Sequence, residues 1–200
     1  MLRLLQRTPF DPAAVQPGDI IGFSGTHWQS LFINCVTYGI PYWSISHVGI
    51  IGEHDGRLLI FESTTTNSVP CEVTGKYIAG SQAHSIQHHI DHYQGRLWHY
   101  PLTRSLYHHE LKRLTKFLHA TIGLSYDNIG AYRAGGVGFS WLESQLREAD
   151  LHSLFCSEWC AAAHAEIGLF ATDNGARWSP NLLCRTERRK GILKRPRRIK

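Results

Sequence analysis

The sequence predicts an α+β domain in which an antiparallel β-sheet packs against helices. Three observations carry that expectation. Two β-rich runs, SHVGIIG (46–52) and RLLIFEST (57–64), flank EHDG, whose Asp55-Gly56 is a hairpin turn signal. Residues 103–122 repeat apolar side chains at helical spacing through Leu106, Tyr107, Leu111, Leu114, Phe117 and Leu118. The segment LFCSEWCAAAHAEIGLF carries Ala161, Ala162, Ala163 and Ala165, which makes it the most helix-prone stretch of the chain.

The remaining elements follow in order. Pro17-Gly18-Asp19 is a turn signal, and Ile20 to Phe23 is a short apolar strand. Residues 27–39 place Trp28, Leu31, Phe32, Cys35 and Val36 on one face of a short helix. Residues 65–95 are polar and His-rich and show no clear pattern, whereas RLWHYPL (96–102) reads as another strand. The helix over 103–122 stops near Gly123, a Gly-rich stretch follows to 138, and 140–149 reads as a short surface helix. Gly168 is placed to cap the Ala-rich helix, and Ser179-Pro180 reads as an N-cap followed by proline at the first helical position.

The 200 residues suffice for one sizeable core, and 42% hydrophobic with 18% charged residues marks a globular chain rather than a disordered one. No apolar run reaches the roughly 18 residues of a membrane span. The start of the chain, MLRLLQRTPFDP, shows neither an apolar signal core nor a small-residue cleavage site. The expected location is the cytoplasm, or release without a classical signal peptide. Five cysteines, an odd and irregular set, argue for reduced thiols over a disulfide framework.

The net charge of +5 is uneven. Residues 185–200 hold nine Lys or Arg against one Glu, a balance of +8, which leaves about −3 for the rest. The expected organisation is therefore a domain over 1–184 followed by a flexible basic tail over 185–200. That tail reads either as a weak, salt-sensitive contact for a polyanion or as a solubilising end without a partner; it has no aromatic residue for base stacking.

The chemistry centres on Cys156 and His47. Thiol catalysis needs a thiolate, an imidazole that exchanges its proton, and a third group that orients the imidazole. Cys156 sits where the Ala-rich helix is expected to begin, and amides at a helix start favour a thiolate and can hold an oxyanion. A lone cysteine is otherwise a small buried apolar residue. His47 leads the first strand of the hairpin. A four-residue loop sets it opposite Glu62, and a two-residue loop sets it opposite Thr64 with Glu62 diagonal; Glu62 shares its face in either register. The competing reading is a polar pair on a solvated strand face.

Taken in order, PGDIIGF, SHVGII, FEST, YDNIGA and FCSEWC resemble the circularly permuted NlpC-type papain-like cysteine hydrolases, the YiiX-like branch related to lecithin retinol acyltransferase-like proteins. In that branch the His strand precedes the Cys helix, as here. The resemblance spans about Pro17 to Leu183. It implies a papain-like domain with Cys156 as nucleophile, His47 as base and Glu62 as third member. It also implies Tyr126, in GLSYDNIG, as a substrate-site or oxyanion donor; a core aromatic is the alternative. The implied activity is cleavage of an amide or peptide bond, in peptidoglycan first, as an endopeptidase or amidase. A lipid or thioester acyl hydrolase or acyltransferase is the alternative, and an inactive binding module is a third class. Trp159 and Cys160 replace the usual aliphatic residues after Cys-Ser-Glu. Ser157 and Glu158 read as first-turn capping residues.

Neither a cofactor nor a metal is expected. Cys156, Cys160 and His164 share a helix face and invite a zinc reading with His88, His89 or His92 as a further ligand, but no Cys-x-x-Cys knuckle accompanies them.

Overall fold

A computed structural model of the chain describes residues 11, 14–25, 45–64, 68–124, 148–170 and 178–200. The helix expected over 27–39, most of that expected over 140–149, Cys35 and Tyr126 lie outside these residues. The fold is α+β. Six strands form one antiparallel sheet: β1 (Ile20–Gly25), β2 (His47–His54), β3 (Arg57–Thr64), β4 (Gly80–Ser85), β5 (Gly95–Tyr100) and β6 (Arg197–Arg198), in the order β4-β3-β2-β1-β5-β6. The helices among the described residues are α1 (Ile86–His92), α2 (His108–Thr121), α3 (Glu148–Glu166) and α4 (Pro180–Arg189). None of them is long and apolar enough to cross a membrane.

The central hairpin takes the two-residue register. His54 pairs with Arg57, and Asp55 and Gly56 both have positive φ, 49° and 71°, as a type I′ turn requires. Both faces of the sheet are covered, so its strands are apolar on both sides. Ile20, Val48, Ile50, Leu59 and Phe61 pack with Leu114, Leu118, Trp159 and Ala163 from α2 and α3. Ile21, Phe23, Ile51, Ile60 and Leu97 pack on the other side with Ile86 and Ile90 of α1.

Residues 65–95, unreadable from pattern, supply β4 and α1. The strand GSQAHS is buried yet mostly polar, which hides it from a hydrophobicity reading. Ser85 then caps α1 by accepting from the His88 amide at 3.1 Å. Two expected caps are present. Gly168 has φ 76° just past α3, and Ser179 accepts from the Leu182 amide at 3.3 Å ahead of Pro180. The helix expected over 103–122 begins later, at His108. Glu110 accepts from the Tyr107 amide at 2.8 Å and from both Arg104 terminal nitrogens at 2.6 and 2.7 Å, which holds 104–107 as an extended lead.

Two expectations need correction. The boundary at 184 falls inside α4, and the basic segment beyond it is built into the domain. Leu193 is buried, the Lys194 amide donates to Pro101 O at 2.7 Å, and Arg197–Arg198 pair with β5. The apolar residues Ile192, Leu193 and Ile199, spaced among the cations, anchor the segment against the sheet edge. The second correction concerns Cys156. Helix α3 starts at Glu148, so Cys156 lies about two turns inside it and not at its positive end. Ser157 accordingly does not cap; its hydroxyl donates to the Trp178 carbonyl.

Gly49 stands directly opposite Glu62. A Cβ there would lie 2.6 Å from Ile60 Cγ2 and 3.0 Å from the Phe61 carbonyl oxygen, which cannot move freely within the sheet. Gly49→Ala is expected to destabilise the fold by about 1–3 kcal/mol in denaturant unfolding. Glu110 gives a pH signature. Arg104 holds its carboxyl down, against the opposing effect of burial, to about 2 from an ordinary 4.5. A depressed carboxylate favours the folded state above about 4.5 and loses that contribution as pH falls toward 2. Acid unfolding of Glu110→Gln should lack this increment, so its stability gap to wild type closes across that window.

Candidate active site

His47 is the first residue of β2, and its Nε2 lies 2.6 Å from Oε2 of Glu62 on β3. The register makes them diagonal neighbours across the hairpin, with Gly49, which has no side chain, opposite Glu62. Phe23 packs its ring 5.1 Å from His47 and fixes the imidazole from the side. The Cys156 sulfur is the other side-chain group that acts on the His47 imidazole. Helix α3 packs on β2 and β3 from the side of Val48 and Phe61, whereas Glu62 faces α1, so the imidazole joins groups from the two sides of the sheet. Cys156 is buried, and the 22% exposure of the His47 side chain is where this pair meets solvent.

The electrostatics are those of an ion-pair centre. Burial opposes a charge on His47, but the Cys156 sulfur and then the Glu62 carboxylate outweigh it and raise the imidazole from 6.5 to about 10. Burial likewise opposes ionisation of Glu62. His89, His47 and His84 together hold its carboxyl well below the usual range. Cys160 and Cys184 go the other way: burial pushes both thiols well up, so they are neutral at ordinary pH.

Three of the four expected site residues thus lie together: Cys156, His47 and Glu62. Tyr126 lies outside the described residues. The helix-start amides expected to assist Cys156 are not beside it, so His47 and Glu62 supply the local charge instead.

The zinc reading of the Cys156, Cys160 and His164 face meets an obstacle. Both ring nitrogens of His164 are engaged at 2.8 Å, Nδ1 with Glu187 Oε1 and Nε2 with the Gly18 carbonyl. That buried chain, with Asp19 Oδ2 at 2.6 Å from His99 Nε2 and Oδ1 accepting from the Leu102 amide, ties α3 and α4 to the start of β1. Asp19 of the PGD turn is therefore a buried anchor, a role its turn chemistry alone does not reveal. His84 and His89 around Glu62 were also missed as a group. Their signal is weak, because only the pairing of β3 with β4 brings the polar strand to the carboxylate.

No family model matches the chain, and neither does any curated protein. Among solved structures it is similar to the metalloprotein YiiX from Escherichia coli O157:H7, with 16% identity over 92% of this chain and 88% of that one and a TM-score of 0.49.

The His47 shift has a sign that can be measured. A raised imidazole favours the folded state fully below 6.5 and loses that contribution as pH rises toward about 10. The stability difference between wild type and His47→Gln should therefore narrow between those values. The His47 ring proton in NMR should titrate near the upper one, and Glu62→Gln should move that titration down. A midpoint near 6.5 in the wild type would contradict the ion-pair description.

Proposed function

We propose that the chain is a cysteine hydrolase in which Cys156 attacks an acyl carbon, His47 shuttles the proton and Glu62 orients His47. The observation that carries this reading is the double engagement of one imidazole, by a carboxylate on one side and a thiol on the other. Because Nε2 is held by Glu62, the proton exchanged with the thiol falls to Nδ1.

The steps follow from those positions. The Cys156 thiol passes its proton to His47, and the sulfur forms a bond to the carbonyl carbon. The tetrahedral adduct collapses, the bond to the leaving group breaks, and His47 returns the proton to that group. Water then attacks the thioester with His47 as base, releasing the acid and restoring the thiol. Glu62 holds the ring in place and favours its charged form throughout. Its anionic state suits that task better than proton transfer, since its carboxyl is held well below the usual range.

The bond we assign first is an amide or peptide bond, with peptidoglycan stem peptides as the first substrate to test; that preference rests on the ordered motifs from PGDIIGF to FCSEWC. Digestion of peptidoglycan beside a panel of acyl esters and thioesters, read by mass spectrometry, separates peptidase from acyl hydrolase.

The thiol chemistry has its own test. A small alkylating agent at near-neutral pH should modify Cys156 ahead of Cys160 and Cys184, whose thiols burial keeps neutral. His47→Ala should remove that preference and lower turnover by on the order of 10²–10⁴-fold. Equal labelling of all three cysteines, or labelling indifferent to His47→Ala, would sink the proposal.

A further inference from the structure

The second oxygen of Glu62 faces a group of side chains that the thiol chemistry does not use. While Oε2 is bound to His47, Oε1 lies 3.2 Å from His89 Nε2 and 3.6 Å from His84 Nδ1. Neither contact has hydrogen-bond geometry: His89 Nε2 and both ring nitrogens of His84 are buried without a hydrogen-bond partner. His84 itself is only 5% exposed. Two of these orphaned nitrogens, His89 Nε2 and His84 Nδ1, face the same buried carboxylate oxygen, and unsatisfied buried polar groups are costly to leave so.

We propose that Glu62, His84 and His89 bind a zinc-type divalent transition-metal ion. Among the described residues this trio alone gathers three ligating side chains, with the ligand atoms all within 4.8 Å of one another. Bonds of roughly 2.0–2.1 Å around a tetrahedral ion set its ligand atoms about 3.3 Å apart. The two carboxylate-to-imidazole separations already match that spacing, and small rotations of the imidazoles complete it. Two imidazoles and one carboxylate oxygen suit zinc and its first-row neighbours better than calcium or magnesium, which prefer all-oxygen shells. Three protein ligands leave at least one coordination position for water or a substrate oxygen.

The local fold supports such a site. Glu62 and His84 sit on adjacent strands, with Glu62 paired to Gln82 and His84 two residues further along the same face. His89 comes from α1, whose start is fixed by the Ser85 cap, and Phe23 packs edge-on against its ring at 5.2 Å. The ligands thus come from two strands and a helix held in register by backbone pairing, the rigid support that a metal site needs. An ion on Oε1 leaves Oε2 on His47, so one carboxylate serves both groups.

The proposal does not depend on the hydrolase reading; the two share only Glu62. The test uses the full chain after treatment with a chelator. Zinc chloride titrated by calorimetry should show one equivalent bound, and Co(II) should give the visible bands of a low-symmetry nitrogen and oxygen site. His84→Ala and His89→Gln should each weaken binding by more than the roughly 10–100-fold that loss of a supporting group causes. His92→Ala, at an exposed position on the same helix, and Cys156→Ala should bind as wild type does. His89 is only partly buried, so its variant keeps the test valid if His84→Ala fails to fold. Absence of zinc binding by the wild type, retention of full affinity in His89→Gln, or a thiolate-to-cobalt charge-transfer band would overturn the assignment. Loss of alkylation selectivity at Cys156 with metal binding intact would instead sink only the hydrolase reading.

Discussion

Glu62 is a carboxylate taken out of water, and the surrounding architecture can be understood as the answer to that cost. A buried anion without partners is prohibitively unfavourable, so it persists only where cations or donors converge on it. Here the partners come from three directions: His47 from β2, His84 from β4 and His89 from α1. Strand pairing delivers the first two, and the helix that closes the sheet face delivers the third. Gly49, opposite Glu62 and without a side chain, leaves the backbone close enough for the carboxylate to lean across to His47.

A second buried network sets where the Cys-bearing helix sits. Glu187 of α4 holds His164 of α3, and His164 in turn donates to the Gly18 carbonyl ahead of β1, while Asp19 next to Gly18 is bonded to His99 of β5. Burial opposes a charge on His164, and Glu187 outweighs that and raises the imidazole. Since a helix free to slide by one residue would rotate Cys156 by about 100°, this polar link together with Trp159, whose ring nitrogen donates to Thr121, fixes which residue meets His47. Trp159 and Cys160 themselves serve packing: both are fully buried.

The electrostatic surroundings of Cys156 differ from what helix position alone suggests. With α3 extending upstream to Glu148, the macrodipole contributes little at Cys156, and its effect in any case falls off within the first turn. The charge that matters is local. It comes from an imidazole whose protonated state is favoured by Cys156 and by Glu62, and from a carboxylate held well below its usual range by three imidazoles. That makes the centre a coupled unit, in which removal of any member changes the protonation of the others.

Much of this was legible in the chain itself, and the remainder divides along a physical line. Local propensity and period determined the central hairpin with its Asp55-Gly56 turn, the β5 run, the body of α2, the Ala-rich α3 with Gly168 after it, and the Ser179-Pro180 start of α4. Strand alternation by itself puts His47 and Glu62 on one face, because that depends only on a period of two. Other features depended on contacts between distant segments. The polar strand GSQAHS has no alternation to reveal it and forms because β3 offers an unpaired edge. The basic stretch after 184 looked like a tail by charge, yet three spaced apolar residues and the free edge of β5 draw it into the sheet. The meeting of Cys156 with His47, and of His84 and His89 with Glu62, joins residues whose sequence separations carry no periodic signal. Propensity and period act over a few residues, whereas burial and strand pairing choose partners across the whole chain, and only the tertiary structure decides those.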